Sequence, residues 1–212
     1  MIYTIGDSHS KFGWEKINHV KVNHLGSKLM YTFNLDPYEV PYVGDNHCLV
    51  FSYGEIDVRC HIHRHFSNQD LDVQIQKMSR SYIEKILKIC KERAISLDNV
   101  YVYCVIPPRR IDSIEPYNIE NLLNYVSFDL KKSEPFPILG TDTVRKNYNY
   151  LLNENLKKVC NEYGIGFIDI IKEYSDNDGY LDMRLSDGTV HIDNPKFLLE
   201  YLEKYMHKFL TP

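Results

Sequence analysis

The chain has 212 residues, a formal net charge of −4 and a hydrophobic fraction of 43%. This length and composition suit one globular α/β domain, so we expect a single domain over residues 1–212. The slightly acidic balance offers no domain-wide positive field for nucleic acid, and no apolar run is long enough to predict a membrane span.

Predicted strands and helices alternate along the chain. Runs of β-branched and aromatic residues predict strands at 1–5, 19–24, 48–53, 99–106 and 165–170. Apolar spacing of three to four residues, with capping residues, predicts helices at 10–16, 27–32, 71–93, 119–125, 141–163 and 195–210. This alternation favours a three-layer α/β/α fold, with a five-stranded parallel sheet in the flavodoxin-like order 2-1-3-4-5.

Cysteine usage and the N-terminus indicate a cellular compartment. The five cysteines lie mostly inside apolar runs, which favours reduced, buried thiols over disulfides. The first strand leads directly into a polar loop, so the sequence predicts no cleaved signal peptide. We therefore expect a cytoplasmic protein.

The first candidate site follows the first strand. The segment Gly6-Asp7-Ser8 ends an apolar run, and a parallel strand that ends this way delivers a serine hydroxyl to the carboxyl edge of the sheet. Ligand and catalytic sites of open α/β sheets form at this edge. The alternative is structural, because Asp7 and Ser8 could simply cap the next helix.

Further polar groups follow the other predicted strands. Gly26 comes after the second strand, Gly54–Asp57 after the third, and an arginine-containing segment at 107–110 after the fourth. Asp187 and His191 lie in a glycine-containing loop beyond the fifth. All of these groups converge on the same edge of the predicted sheet, which indicates a binding or catalytic site there.

Ionisable residues alternate from Glu55 to His65, at every second position. If this segment is extended, its polar side chains share one face, and Asp57 and Arg59 point into the cleft that holds Ser8. A self-neutralising ion-pair network is an equally good interpretation of Glu55, Asp57 and Arg59. The alternating histidines (61, 63 and 65) could also offer ligands to a metal, but no converging carboxylate is evident, so we assign no metal and no cofactor.

Three short motifs resemble the SGNH (GDSL-type) hydrolase superfamily: the early Gly-Asp-Ser, a Gly-x-x-Asp after the third strand and the late Asp/His pair. The resemblance implies that Ser8 is the nucleophile, that His191 is its general base, and that Asp187 orients the imidazole. It also implies that the backbone N–H groups of Ser8 and Gly26 bind the oxyanion. The candidate oxyanion or substrate-binding residues are Asp7, Gly26, Gly54, Glu55, Asp57, Arg59 and His61.

Two departures from the family pattern bear on activity. Ile56 occupies the position at which the family has an asparagine that donates to the oxyanion, and loss of one such donor costs about 3 kcal/mol of transition-state stabilisation. Arg59, Asn46 or a histidine would have to replace it. Asp187 and His191 are also four residues apart instead of the usual three, which leaves Asp193 as an alternative orienting acid.

These features predict an enzyme that cleaves or transfers an ester of a polar substrate, such as a carbohydrate, with a small molecule or glycan as its partner. Tyrosines in the predicted loops (38, 42, 53 and 117) favour a sugar over a lipid. The alternative is an SGNH-shaped domain without hydrolytic activity, which binds or transfers a glycan or a nucleotide-sugar group. The missing asparagine favours this alternative, whereas the intact Gly-Asp-Ser favours the esterase.

Overall fold

The computed structural model describes residues 1–41, 43–44, 46–111 and 138–210. Its strands are β1 (Ile2–Gly6), β2 (Val20–His24), β3 (Cys48–Ser52), β4 (Val100–Tyr103) and β5 (Gly166–Ile168). They form a parallel sheet in the order β2-β1-β3-β4-β5, which confirms the predicted fold class and strand order. The predicted helix at 119–125 and two of the loop tyrosines, Tyr42 and Tyr117, lie outside the described residues.

Helices cover both faces of this sheet. They are α1 (Ile62–Phe66), α2 (Leu71–Glu92), α3 (Asp142–Tyr163) and α4 (Lys196–Tyr205). Buried residues of α2 and α3 pack with β3 and β4 in one cluster, and α4 packs with Trp14 and β5 in a second cluster. Burial of apolar side chains on both faces explains why the strands read as nearly continuous apolar runs.

Two of the predicted short helices are wrong. Over 10–16 the chain forms two single 3₁₀ turns, Ser8–Ser10 and Trp14–Lys16, because Gly13 between them has a φ of +81° and interrupts the helical path. Residues 27–32 form turns without a helix. Both segments are held by contacts from distant parts of the chain, which local spacing does not reveal.

Two asparagines of α3 hold the chain where β4 ends. Asn153 Oδ1 accepts a hydrogen bond from Val105 N over 2.8 Å, and Asn153 Nδ2 donates to Val105 O over 2.9 Å. Asn149 Nδ2 donates to the carbonyls of Val105 and Ile106 over 3.0 and 2.7 Å. Buried side-chain amides thus satisfy backbone groups that have left the sheet, and they fix the segment that follows β4.

None of the helices in the described ranges is long and apolar enough to cross a lipid bilayer. All five cysteines lie in these ranges, and each one is buried and free of a disulfide, as the sequence predicted.

Candidate active site

The serine of the first motif lies in a tight turn at the carboxyl end of β1. A Cβ atom on Gly6 would lie 1.9 Å from Ser52 O, so only glycine allows β1 to approach β3 this closely. The next turn is capped by Asp7, whose Oδ1 accepts a hydrogen bond from His9 N over 2.8 Å. Asp7 therefore provides the cap that we considered for either residue, and the Ser8 hydroxyl is left for other contacts.

The loop between Ser186 and Ile192 brings its acid and imidazole to that hydroxyl. Ser8 O–H donates to His191 Nε2 over 2.9 Å, within the limit of about 3.5 Å expected for a nucleophile and its base. His191 Nδ1–H donates to Asp187 Oδ2 over 3.0 Å. The structure thus joins the three residues in one hydrogen-bonded chain.

A threonine fills the extra position between Asp187 and His191. Thr189 O–H donates to Asp187 Oδ1 over 2.5 Å, and Thr189 Oγ1 lies 2.9 Å from His191 Nδ1. The four-residue spacing therefore inserts a hydroxyl that contacts both the acid and the imidazole. Asp193, the alternative orienting acid, instead pairs with Lys16 at the surface.

The pKa values in this loop are shifted in directions that suit general-base chemistry. Burial acts to raise the pKa of Asp187, but hydrogen bonds from Thr189 and His191 outweigh it, so the pKa lies below its ordinary value. Burial and the neighbouring His9 lower the pKa of His191, although Asp187 and Glu55 act to raise it. At neutral pH Asp187 is ionised and His191 is neutral and able to accept a proton.

The side on which an oxyanion would bind contains backbone donors. Neither Ser8 N–H nor Gly26 N–H donates a hydrogen bond to another described residue. Gly26 has a φ of +79° directly after β2, a conformation that favours glycine. The implied oxyanion role of these two groups stays a prediction.

The position of the family asparagine is apolar here, and Asn46 does not supply the missing donor. Ile56 is buried and carries no polar atom. Asn46 lies at the opposite, amino end of the sheet, where its carbonyl accepts a hydrogen bond from the amino group of Met1 over 3.1 Å. Arg59 makes an ion pair with Glu55, and its role as the replacement donor stays a prediction.

The segment from Glu55 to His65 is helical, and the prediction that it is extended is wrong. After Gly54, whose φ is +118°, the chain forms a π-helical turn, Asp57–His61, which continues into α1. Polar residues that occupy every second position necessarily recur at every fourth position as well. The buried apolar residues Val58, Ile62 and Phe66 are also spaced by four residues. The four-residue apolar repeat is the helical signal that the alternation obscured.

Asp57 is buried and does not line the open cleft beside the His191 loop, into which it was predicted to point. Its carboxylate is fully buried and accepts hydrogen bonds from Met30 N over 2.7 Å and Tyr31 N over 3.2 Å. Burial raises the pKa of Asp57 to about 7 despite these hydrogen bonds. The residue anchors the loop after β2, a structural role in place of the predicted contact with substrate. Asp7 is equally buried, and it too has a structural role, in the turn that carries Ser8.

Glu55 and Arg59 line an open cleft beside the His191 loop. They form an ion pair one helical turn apart, with Arg59 Nε 3.1 Å from Glu55 Oε1. Val190 lines the same cleft, which has a volume of about 360 Å³ including its mouth. The other described residues that line it come from the π-helical turn (Val58), from the segment after β4 (Val105, Ile106, Pro107, Pro108, Arg109 and Ile111) and from the region around the start of α3 (Ile138 and Arg145).

Gly54 and His61 do not line this cleft. A Cβ atom on Gly54 would lie 2.7 Å from Val105 Cγ2, so this glycine allows close packing where β3 ends. The ring of His61 lies between those of Tyr31 and His65, with centroids 4.3 and 4.5 Å away. Burial lowers the pKa of His61 to about 4, and the ring lines a separate groove with Phe66.

The three alternating histidines do not converge on one point. His63 Nδ1 lies 3.2 Å from the Tyr148 hydroxyl, on a different side of the helical segment from His61. Within the described ranges no group of three His, Cys, Asp or Glu side chains is arranged to hold a metal ion.

Comparison with known proteins bears on the fold. The sequence matches no protein-family model and no curated protein. The structure is similar to a GDSL-like lipase from Bacteroides thetaiotaomicron, with 13% identity, a TM-score of 0.60, and coverage of 98% of this chain and 87% of that one. It is also similar to a carbohydrate acetylesterase from Sinorhizobium meliloti, with 12% identity, a TM-score of 0.53, and coverage of 97% and 98%. The chain therefore has the fold of the SGNH (GDSL-type) hydrolases, as the sequence resemblance predicted.

Sequence reasoning missed three residues that contact His191. Thr189 bridges the imidazole and Asp187, as described above. Phe12 stacks on the His191 ring with centroids 4.1 Å apart and an interplanar angle of 20°, and the His9 ring lies 5.0 Å away. Only His9 carried a signal in the sequence, since it directly follows Ser8 and is itself ionisable.

Proposed function

We propose that this protein is a serine-dependent esterase or acyltransferase. The observation that carries the proposal is the hydrogen-bonded chain from Ser8 through His191 to Asp187, with links of 2.9 and 3.0 Å. A neutral imidazole beside a serine hydroxyl, oriented by an ionised carboxylate, is the arrangement that activates serine as a nucleophile. Because Ser8 follows β1, these hydrogen-bonded residues lie at the carboxyl edge of the sheet, where catalytic sites of such folds form.

In the proposed reaction, Ser8 Oγ bonds to the ester carbonyl carbon while its proton passes to His191 Nε2. The carbonyl oxygen becomes an oxyanion, which the N–H groups of Ser8 and Gly26 would bind. Collapse of this intermediate breaks the bond to the alcohol, which leaves with the proton from His191. Water, or a second alcohol in a transfer reaction, then attacks the acyl-enzyme in the same way and restores Ser8.

For the substrate we propose an ester of a polar molecule, such as an acetylated carbohydrate. The cleft beside Val190 combines apolar walls with the charged groups of Glu55, Arg59 and Arg109, which suits a small acyl group on a polar carrier. Of the loop tyrosines that favoured a sugar, Tyr38 is exposed, whereas Tyr53 is buried. The similarity to a carbohydrate acetylesterase agrees with this substrate class.

Labelling with a fluorophosphonate probe tests the nucleophile. We expect the wild type to be labelled and to hydrolyse p-nitrophenyl acetate, and Ser8→Ala to lose both. Ser67→Ala removes a hydroxyl from an exposed position and serves as the matched control, with both properties kept. Equal labelling of wild type and Ser8→Ala would contradict the assignment of Ser8.

A comparison of substrates tests the proposed polar ester. We expect kcat/KM for acetylated monosaccharides or xylo-oligosaccharides to exceed that for p-nitrophenyl octanoate by at least tenfold. A preference for the octanoate ester would contradict a polar substrate.

Ile56 favours a second candidate, a domain that binds or transfers a glycan or nucleotide-sugar group without hydrolysing esters. Its buried side chain offers no donor at the position where the family has an asparagine. Saturation-transfer NMR with monosaccharides and UDP-glucose tests this candidate. Binding of either, with no fluorophosphonate labelling of Ser8, would support it over the esterase.

A further inference from the structure

A second imidazole lies beside the proposed general base. His9 follows Ser8 in the chain, is 6% exposed, and its ring centroid lies 5.0 Å from that of His191. It belongs to neither the Ser8–His191–Asp187 chain nor the wall of the cleft. The contacts of this buried, ionisable ring therefore bear on the chemistry of His191.

The contacts of His9 determine where its protons are. Its Nε2 lies 3.1 Å from Val190 O, and a carbonyl oxygen only accepts, so Nε2 carries a proton. Its Nδ1 faces Asp7 Oδ1 at 3.3 Å, where a bare nitrogen lone pair would oppose a carboxylate. Protons on both ring nitrogens would make both contacts attractive, so the geometry favours an imidazolium that forms an ion pair, without a hydrogen bond, with the carboxylate of Asp7.

Asp7 requires this partner. Its carboxylate is fully buried, and its Oδ2 has no hydrogen-bond partner among the described residues. An ionised carboxylate in such a place is strongly disfavoured unless a positive charge is next to it. The pair thus places a fixed positive charge beside the imidazole of His191.

The charged groups around the two rings are few. The charged or titratable neighbours of His9 are Asp7, Glu55 and His191. Those of His191 are Asp187, Glu55 and His9. Burial acts to lower the pKa of His9, but the adjacent Asp7 carboxylate, with the charge of Glu55 and the Val190 carbonyl, outweighs it and raises the pKa. For His191, the negative groups favour a bound proton and His9 opposes one.

We propose that His9, held as an imidazolium by Asp7, is a positioning residue that fixes the Val190 carbonyl next to His191 and disfavours a proton on the His191 ring. The proposal rests on the proposed function of Ser8 and His191. It predicts an enzyme that stays active in mildly acidic solution, because His191 remains neutral there, and whose protonated His191 is a stronger acid toward the leaving alcohol.

The pH dependence of kcat/KM for p-nitrophenyl acetate tests the role of the charge. His9→Gln keeps an N–H that can reach Val190 O but has no charge, so we expect the midpoint of the acidic limb to rise by about one pH unit. At a pH well below both midpoints this shift lowers kcat/KM by about tenfold relative to the wild type. His207→Gln removes an exposed histidine and should leave the profile unchanged. An unchanged midpoint in His9→Gln, with activity reduced equally at every pH, would overturn the proposal.

NMR of the histidine side chains tests the proposal without substrate. In wild-type protein labelled with ¹⁵N, we expect both ring nitrogens of His9 to be protonated at pH 7.5, and His191 to be neutral. In His9→Gln the titration midpoint of His191 should rise. A neutral His9 ring in the wild type would overturn the proposal even if His9→Gln fails to fold. If the NMR expectations hold but Ser8 is unreactive, the proposed esterase function fails and the Asp7–His9 pair stands.

Discussion

Asp187 and Asp57 are both aspartates of the segments that the sequence assigned to one site, but the structure uses them in opposite ways. Asp187 is partly exposed, contacts an imidazole and a hydroxyl, and has a lowered pKa. Asp57 is fully buried, contacts two backbone N–H groups, and has a pKa raised to about 7. A place in a motif does not decide what a carboxylate does. Its contacts and its access to solvent show whether it orients a catalytic base, as Asp187 would, or anchors a loop, as Asp57 does.

The largest expected effect is that of Asp187→Asn. The variant loses the charge that stabilises protonated His191, and its amide can favour the wrong tautomer, so we expect kcat to fall by about 10³- to 10⁴-fold. The melting temperature should change little, because the loop keeps its backbone contacts. Steady-state kinetics on Asp187→Asn and on Asp193→Asn, the acid that pairs with Lys16, check this expectation. A larger loss in Asp193→Asn would reverse the assignment.

Asp57→Asn should instead change the pH dependence of stability. The folded pKa of about 7 lies above the ordinary value of 3.8 for an aspartate, so the folded state holds a proton that the unfolded state releases between these values. Wild-type stability therefore contains a cost that is absent below about pH 4 and grows as pH rises through 7. From pH 5 to pH 8 we expect the wild type to lose about 3 kcal/mol of unfolding free energy relative to Asp57→Asn.

Urea unfolding of both proteins at the two pH values measures this difference. In the variant one of the two N–H groups faces the amide NH2, which cannot accept a hydrogen bond, but that cost is the same at each pH and does not affect the comparison. Parallel pH dependences in the two proteins would show that Asp57 does not titrate as described. Turnover of p-nitrophenyl acetate by folded Asp57→Asn should stay within a few-fold of the wild type.

Arg59 tests whether one residue serves both stability and the site. The side chains of the Arg59–Glu55 pair are 14% and 12% exposed, so Arg59→Ala leaves a mostly buried carboxylate without this partner. We expect a loss of about 3 kcal/mol in unfolding free energy, and recovery of most of it in the double variant Glu55→Gln/Arg59→Ala. The sequence left both a role in the site and an ion-pair network open for this residue.

Kinetics of the double variant show whether Arg59 contacts the substrate. If it does, kcat/KM stays at least tenfold below the wild type, about 1.4 kcal/mol, although stability has recovered. Wild-type kcat/KM in the stable double variant would limit Arg59 to a structural role.

Thr189 should give the smallest effect. Thr189→Val keeps the shape of the side chain but removes the hydroxyl that lies between Asp187 and His191, so we expect kcat/KM to fall by about tenfold. Thr189→Ser restores a hydroxyl and should recover most of the loss. A variant with valine that is as active as the wild type would show that Asp187 orients the imidazole without help.

The sheet could be predicted because each strand is buried and therefore reads as an apolar run, and Ser8 could be predicted because it directly follows such a run. The helix at 57–66 could not be predicted in this way. Its polar residues occur at every second position, which fits an extended segment, but they also recur at every fourth position, which fits a helix. The capping role of Asp7 and the anchoring role of Asp57 depend on backbone N–H groups, which every residue except proline has, so the sequence does not show which of them an aspartate will bind. Thr189 was missed because the significance of the extra loop residue appears only when its hydroxyl is located.

The two asparagine side chains that bind the main chain after β4 affect how the cleft can change in sequence. Asn149 and Asn153 hold the main chain of Val105 and Ile106 from the side of α3, so the path of the chain there does not depend on its own side chains. Substitutions along 105–108 can then alter the size and polarity of the cleft while the backbone opposite Val190 stays in place. Substrate preference can evolve in this segment independently of the geometry around Ser8.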